Sequence, residues 1–308
     1  MDRESRSSNS DEIRRQVSAA YARAVSSTQG GCCGTGAVPA GVAAKLAGYT
    51  AEELAALPQD AVASSFGCGN PVAFSELRVG DVVLDLGSGA GIDLLLAAKK
   101  VGREGRVIGV DMTDEMIARA RRNIAAAGLE NVEVRRGTIE ELPVEPAAVD
   151  WVISNCVINL SPEKDRVFRE IARVLRPGGR MLVSDIMVAE LPDWARQSAA
   201  LYASCIAGAI SEEAYLNGLR AAGLVDVEVR ERLVYDAAQL LALAGSEIDP
   251  AATCCCCGEG GGSSAGSGDS SGTGSGEDER LGSRVAEALA GKVWSARVHA
   301  RRAALPRP

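Results

Sequence analysis

Histidine is nearly absent from this chain: 308 residues contain one, His299. A His-based nucleophile triad, an H-E-x-x-H zinc site and most imidazole acid–base schemes need partners that the sequence does not supply. Long apolar runs are absent too, and the opening residues MDRESRSSNSDE are polar with no signal-peptide core. A cytosolic protein that engages no membrane is expected. Basic residues are in deficit, 33 Lys and Arg against 41 Asp and Glu, which gives a formal net charge of −8 and a pI near 5.0. That balance argues against binding nucleic acid or anionic membranes through phosphate contacts. Substrates should be neutral, small, or held by specific groups.

Cysteine, by contrast, is plentiful. Nine are present: Cys32 and Cys33 side by side, Cys68, Cys156 and Cys205 singly, and a run from Cys254 to Cys257. Without a secretory signal they are expected to be mostly thiols, since reducing cytosol does not sustain structural disulfides. At 308 residues the chain can bury one large α/β core or two small ones, and a hydrophobic content of 46% suits a soluble globular protein.

The chain is organised around Val82 to Lys100, VVLDLGSGAGIDLLLAAKK. An apolar run leads to Asp85, then a glycine turn at Gly87, Gly89 and Gly91, then apolar residues at helical spacing. The pattern predicts a buried strand, a turn and a helix whose N-terminus can meet a ligand. A dinucleotide fingerprint requires a glycine where this chain has Ile92, so the spacing argues against nicotinamide and flavin cofactors. Asp85, Gly87, Ser88, Gly89 and Gly91 instead resemble the first motif of class I S-adenosylmethionine-dependent methyltransferases.

Strands are predicted near 82–86, 106–110, 132–136, 149–154, 180–188 and 225–234, alternating with helices. Such alternation implies a parallel sheet wound on both sides, with ligands beyond the carboxyl ends of the strands. At the N-terminus, residues 1–10 read as disordered and Ser10 as the cap of the first helix. Thr50 and Glu53 form a capping box with Tyr49 and Leu54 as its staple; Asn70 caps a helix with Pro71 at its first position. Ser161 and Pro162 start another helix, and a helix from about Asp193 to Ala207 carries Cys205. Residues 246–279 are too poor in apolar side chains to bury and read as a flexible insertion. KVWSARVHAR then alternates, with Trp294, Ala296, Val298 and Ala300 on one face.

Several core positions suit a bound S-adenosylmethionine. Asp111 lies twenty residues after Gly91 at a strand end, where a carboxylate can accept ribose hydroxyls. Ile139 and Glu140 resemble the pair that packs against and hydrogen-bonds adenine, Met112 can cover its other face, and Asn155 ends the fourth strand beside the reaction centre. Cys156 follows that strand, Cys68 sits in a glycine loop entering the core, and Cys205 belongs to the segment expected to cover the pocket. Zinc sites usually show short C-x-x-C spacing, absent around these three. Soft thiolates also suit thiophilic elements, and trivalent arsenic takes three sulfurs while keeping a lone pair.

SFGCGNP at Cys68, SNCVINL at Cys156, the helix cysteine Cys205, the Cys32/Cys33 loop and the glycine motif together resemble arsenite S-adenosylmethionine methyltransferases, over roughly residues 10–245 and again at LAGKVWSARVHAR. The resemblance implies a class I, Rossmann-like α/β fold: a seven-stranded, mostly parallel sheet with helices on both faces, an N-terminal helical segment and a substrate-binding lid. Residues 1–70 would form N-terminal helices and a cysteine loop, 71–190 the cofactor-binding core, 191–245 the arsenic-binding lid and a sheet strand, 246–280 a disordered insertion, and 281–308 the last helix and antiparallel strand. It further implies arsenite, or a thiol-conjugated arsenic substrate, bound by Cys68, Cys156 and Cys205. An N-terminal cysteine, Cys32 or Cys33, would form a transient disulfide with Cys68, reset by thioredoxin or glutathione. A monomer is expected. Two other readings stay open: a methyltransferase for carbon or oxygen of an organic metabolite, using Glu140, Tyr202 or Tyr215 as base, and a non-catalytic thiol protein that binds soft metalloids. Cys254 to Cys257 are unexplained by the core chemistry; adjacent thiols there could collect arsenite and pass it inward.

Overall fold

The computed structural model describes residues 3–27, 49–55, 57–63, 69–198, 201–202, 204–240 and 283–304. Cys32, Cys33, Cys68, the run Cys254 to Cys257 and the 246–280 insertion lie outside the described residues.

Seven strands form one sheet: β1 (Val82–Leu86), β2 (Arg106–Asp111), β3 (Val132–Arg136), β4 (Val149–Asn155), β5 (Leu175–Val188), β6 (Leu224–Val234) and β7 (Val293–Arg302). Their order is β3-β2-β1-β4-β5-β7-β6. The first five pair in parallel; β7 lies antiparallel between β5 and β6. The strand expected from KVWSARVHAR is therefore inserted beside its neighbours, with Ala296, Val298 and Ala300 buried on the predicted face. Strand order reverses between β1 and β4, a switch point where a crevice opens beyond the strand ends.

Alternation along the strands feeds two cores. Leu84 and Leu86 join Ile108, Val110 and Val152 against α4 (Lys164–Val174) and α5 (Glu212–Ala221). Val83, Val107, Trp151 and Ile153 face the opposite side, against α2 (Ile92–Val101) and α3 (Asp114–Ala126). Period-two side chains on a sheet covered on both faces require this division. A third apolar cluster gathers Val17 from α1 (Arg3–Ser27), Cys156, Ile186, Leu201, Cys205, Ile206 and Leu289 from α6 (283–289).

Local signals hold where they are satisfied within a few residues. Thr50 and Glu53 exchange the two hydrogen bonds of a capping box, at 2.9 and 3.1 Å. Asn70 Oδ1 accepts from Ala73 N at 2.9 Å ahead of Pro71. Three expectations are corrected. The first helix begins at Arg3, so residues 3–10 are helical and Ser10 is an interior position, not a cap; pairs at helical spacing such as Asp11 with Arg14 and Glu12 with Gln16 support it. The helix after Ser161 starts at Lys164, and Ser161 Oγ instead accepts from Glu163 N and donates to Glu140. The helix expected from Asp193 to Ala207 breaks after Arg196, is helical again at residues 201–202, and Cys205 stands in a turn with φ 61°. A Cβ on Gly208 would lie 2.0 Å from Asn159 O, so the chain turns there to bring its backbone against the core.

Candidate functional site

The crevice at the switch point is lined from β1 and its turn by Asp85, Gly87, Ser88 and Gly89, and from β2 by Asp111 and Met112. Ile139 and Glu140 follow β3; Asn155, Cys156 and Val157 follow β4. Gly87, Gly89 and Gly91 all have left-handed backbones, with φ of 63°, 51° and 93°. Gly91 lies outside the lining but caps α2, so the free N–H groups of that helix begin at the turn. At Gly87 a Cβ would also stand 2.5 Å from Val157 Cγ1, so the strand-to-helix turn tolerates no side chain there. Ser88 Oγ is buried without a hydrogen-bond partner among the described residues.

The floor is acidic. Burial pushes the Asp85 carboxyl well above its ordinary range, with the charges of Asp93 and Asp111 adding to the effect. Burial likewise raises Asp93 to about 6, against hydrogen bonds from Tyr49 and Asn155 that favour its anion. Asp111 is raised by burial too, although Thr113 N and Gly89 N donate to its two oxygens at 2.8 and 2.9 Å. A positively charged ligand would relieve three crowded carboxyls at once. Left-handed glycines, an unpartnered Ser88 hydroxyl, apolar walls at Met112 and Ile139 and this acid floor fit S-adenosylmethionine, whose sulfonium is cationic.

Glu140 is not solvent-facing. Its Oε1 accepts from Ser161 Oγ at 2.6 Å and from Arg14 Nε at 3.2 Å, and Arg14 also pairs with Glu163. Arg14, Val17 and Tyr21 all line the crevice, so α1 lies over the cofactor side of the site. No local pattern signals this contact, which joins residues 126 positions apart.

The two described cysteines meet at the edge of the crevice. Cys205 Sγ donates to Cys156 O at 2.7 Å, and both residues are buried, at 3% and 5% exposure. Both also hold left-handed backbones, φ 61° and 59°, a conformation uncommon outside glycine and found where structure over-determines a functional position. Cys205 is not in a disulfide, whereas Cys156 is disulfide-bonded. The sulfur of Cys156 is therefore oxidised in this state. Among the described residues no group of three or more His, Cys, Asp or Glu converges as a metal site; Cys68, the third expected thiol, is outside them.

A buried polar network stands behind Cys205. Lys164 Nζ donates to Asn159 O and Ser161 O at 3.2 and 2.9 Å, and burial lowers its ammonium to about 8 while Asp185, Cys205 and Glu140 favour the cation. Asp185 is raised to about 7 by burial, and accepts from Asn159 Nδ2 and Tyr215 OH. The tyrosines considered as bases are shifted the wrong way: burial lifts Tyr202 to about 12 and Tyr215 well above its usual range.

A family model described as a methyltransferase domain matches residues 77–223. Arsenite methyltransferase of Halobacterium salinarum is 47% identical over 204 residues, covering 66% of this chain and 51% of that protein. Arsenite methyltransferase of Mus musculus is 33% identical over 217 residues, covering 66% and 56%. The chain spans about half the length of these curated relatives. An arsenic(III) S-adenosylmethionine methyltransferase structure from Chlamydomonas reinhardtii superposes with a TM-score of 0.55 at 30% identity, covering 88% of this chain and 75% of that one. A putative sarcosine dimethylglycine methyltransferase from Galdieria sulphuraria, 21% identical with a TM-score of 0.55, covers 73% and 80% and shares the fold.

Proposed function

We propose that this chain, which belongs to the arsenite methyltransferase family, transfers a methyl group from S-adenosylmethionine to trivalent arsenic held by thiolates. The observation that carries the reading is the meeting of Cys156 and Cys205, buried, left-handed and joined at 2.7 Å, beside a glycine turn over an acid floor. Asp85, Asp93 and Asp111 would hold the cationic cofactor, with Gly87, Ser88, Gly89 and Gly91 forming the turn it rests on; Met112 and Ile139 would enclose the adenine. When bound, S-adenosylmethionine supplies a sulfonium methyl that the arsenic lone pair can take without loss of a proton, leaving S-adenosylhomocysteine. The protein's part is positioning: thiolates at Cys68, Cys156 and Cys205 fix the arsenic within attacking distance. No general base is required, consistent with Tyr202 and Tyr215 being held protonated.

Because Cys156 is disulfide-bonded, two electrons from thioredoxin or glutathione must open that bond before arsenic is captured. We take the protein to act in the cytosol as a monomer; no helix of the described residues is long and apolar enough to cross a membrane. The test is incubation of reduced protein with arsenite, S-adenosylmethionine and a thiol reductant, followed by arsenic speciation. Methylated arsenic and S-adenosylhomocysteine should appear together. Cys156→Ser and Cys205→Ser should each abolish methylation and leave cofactor binding intact. Activity retained by either variant refutes capture by three thiolates, and arsenite binding without S-adenosylhomocysteine identifies a scavenger.

A further inference from the structure

Glu140 lines the crevice just beyond β3 at 5% exposure, and its two carboxylate oxygens have different surroundings. Oε1 takes two donors, Ser161 Oγ at 2.6 Å and Arg14 Nε at 3.2 Å. Oε2 has no hydrogen-bond partner among the described residues. The bonds on Oε1 belong to a closed ring. Glu163 N donates to Ser161 Oγ at 3.1 Å, which commits the hydroxyl proton to Glu140, and Arg14 Nη2 donates to the Glu163 carboxylate. A planar guanidinium that bonds two acids through different nitrogens has little freedom to turn. The carboxyl plane of Glu140 is thereby set from two sides, by one residue of α1 and by the turn ahead of α4.

The seat of α1 does not depend on Arg14. Val17 is 3% exposed within the third apolar cluster, and Ser18 Oγ meets Thr113 Oγ1 at 3.2 Å. Arg14, Val17, Ser18 and Tyr21 recur at spacings of three and four, which puts them on one face of the helix. That face carries Arg14, Val17 and Tyr21 into the lining of the crevice. An ionised carboxylate only accepts hydrogen bonds, and the donor that adenine offers at its edge is the exocyclic amine.

We propose that Arg14 is a positioning residue for the cofactor's base: with Ser161 it fixes one oxygen of Glu140, so that the other is held for the adenine amine and α1 takes part in base selection. The inference rests on the S-adenosylmethionine reading above. A carboxylate held in place before the ligand arrives spends no binding energy on being ordered, and it keeps the geometry that tells an amine from a carbonyl.

Calorimetric titration of the full chain with S-adenosylhomocysteine and with S-inosylhomocysteine tests this. The inosyl ligand carries a carbonyl oxygen where adenine carries its amine. A fixed carboxylate repels that oxygen, whereas a freed one turns to the ring N1–H. The parent protein should favour the adenosyl ligand at least about a hundredfold, and Arg14→Ala should cut that ratio at least about tenfold, because a site built around one hydrogen bond rejects ligands that lack it. Arg14→Lys, which keeps the charge but cannot span both acids, should fall between. Ser18→Ala, which frees α1 from Thr113 and leaves the ring whole, should keep the parent ratio. General loosening of α1 weakens both ligands together and cancels in the ratio. An unchanged ratio in Arg14→Ala, or a ratio lowered as far by Ser18→Ala, overturns the proposal; if Arg14→Ala does not fold, Arg14→Lys is held to the same criterion. A parent protein that binds neither ligand fails at the cofactor reading, whereas one that binds both equally fails only here.

Discussion

Cofactor binding should strengthen as pH rises through the titration of the acid floor, and Asp93 gives the size of the effect. Its carboxyl is pushed up to about 6 chiefly by burial, with Glu53 adding to the rise and the hydrogen bonds from Tyr49 and Asn155 opposing it. A group with that midpoint is roughly one-tenth ionised at pH 5 and nine-tenths at pH 7, so a cation that binds the ionised form should bind about tenfold more tightly at pH 7. Asp85 is also raised, partly by the charge on Asp93, so the two acids titrate as a coupled pair. The sign for stability is opposite. A carboxyl whose folded midpoint lies above its unfolded value stabilises the fold at low pH and loses that contribution as pH rises through the folded midpoint. The ligand-free protein should therefore lose melting temperature between about pH 4 and pH 7 from this group, and the loss should shrink with S-adenosylmethionine bound. Calorimetric titration with S-adenosylmethionine at several pH values, beside thermal melts, measures both. Asp93→Asn should retain only a transition belonging to Asp85, displaced to lower pH because the neighbouring charge is gone. Equal affinity at pH 5 and pH 7 in the parent protein, or an unmoved midpoint in the variant, refutes the reasoning.

Gly87→Ala places a methyl 2.5 Å from Val157 Cγ1 at a φ of 63°; strain plus overpacking should cost about 2–4 kcal/mol in chemical denaturation and weaken cofactor binding. Arg14→Ala removes one of the two hydrogen bonds to the buried Glu140 Oε1 and frees α1 from Glu163. Because Arg14 and Glu163 retain some access to water, the loss should be about 1–3 kcal/mol, with faster cofactor release seen in stopped-flow. Omitting reductant should leave arsenite unbound while S-adenosylmethionine still binds, and adding it should restore capture, because Cys156 is oxidised in this state.

What the sequence revealed divides by range. The glycine turn, the Thr50–Glu53 box, the Asn70 cap and the alternation that places β7 are decided by residues a few positions apart, so single-chain patterns carry them. The acid floor was half visible: Asp85 and Asp111 stand at strand ends, but Asp93 reads as an ordinary acid in the first turn of a helix until Tyr49 and Asn155 are seen against it. The Arg14–Glu140 contact and the Asn155–Gly69 hydrogen bond join residues 126 and 86 positions apart. No local periodicity encodes such pairs. The turn at Gly208 belongs with these, because its backbone lies against Asn159 O from a distant part of the chain.

The left-handed backbones at Cys156 and Cys205 sharpen the argument about these cysteines. A buried cysteine alone is ordinarily a small hydrophobe, and both belong to an apolar cluster. A hydrophobe, however, gains nothing from a left-handed backbone that costs about 1–2 kcal/mol over glycine. Two such residues in contact, one at the carboxyl end of β4 and the other on a broken helix 49 positions away, bear that cost twice at one place. Packing of Leu160, Ile186, Leu201 and Ile206 around them offsets it but does not explain why the strained positions carry sulfur. Under the arsenic-capture reading proposed above, the strained positions carry sulfur because those two thiols are ligands.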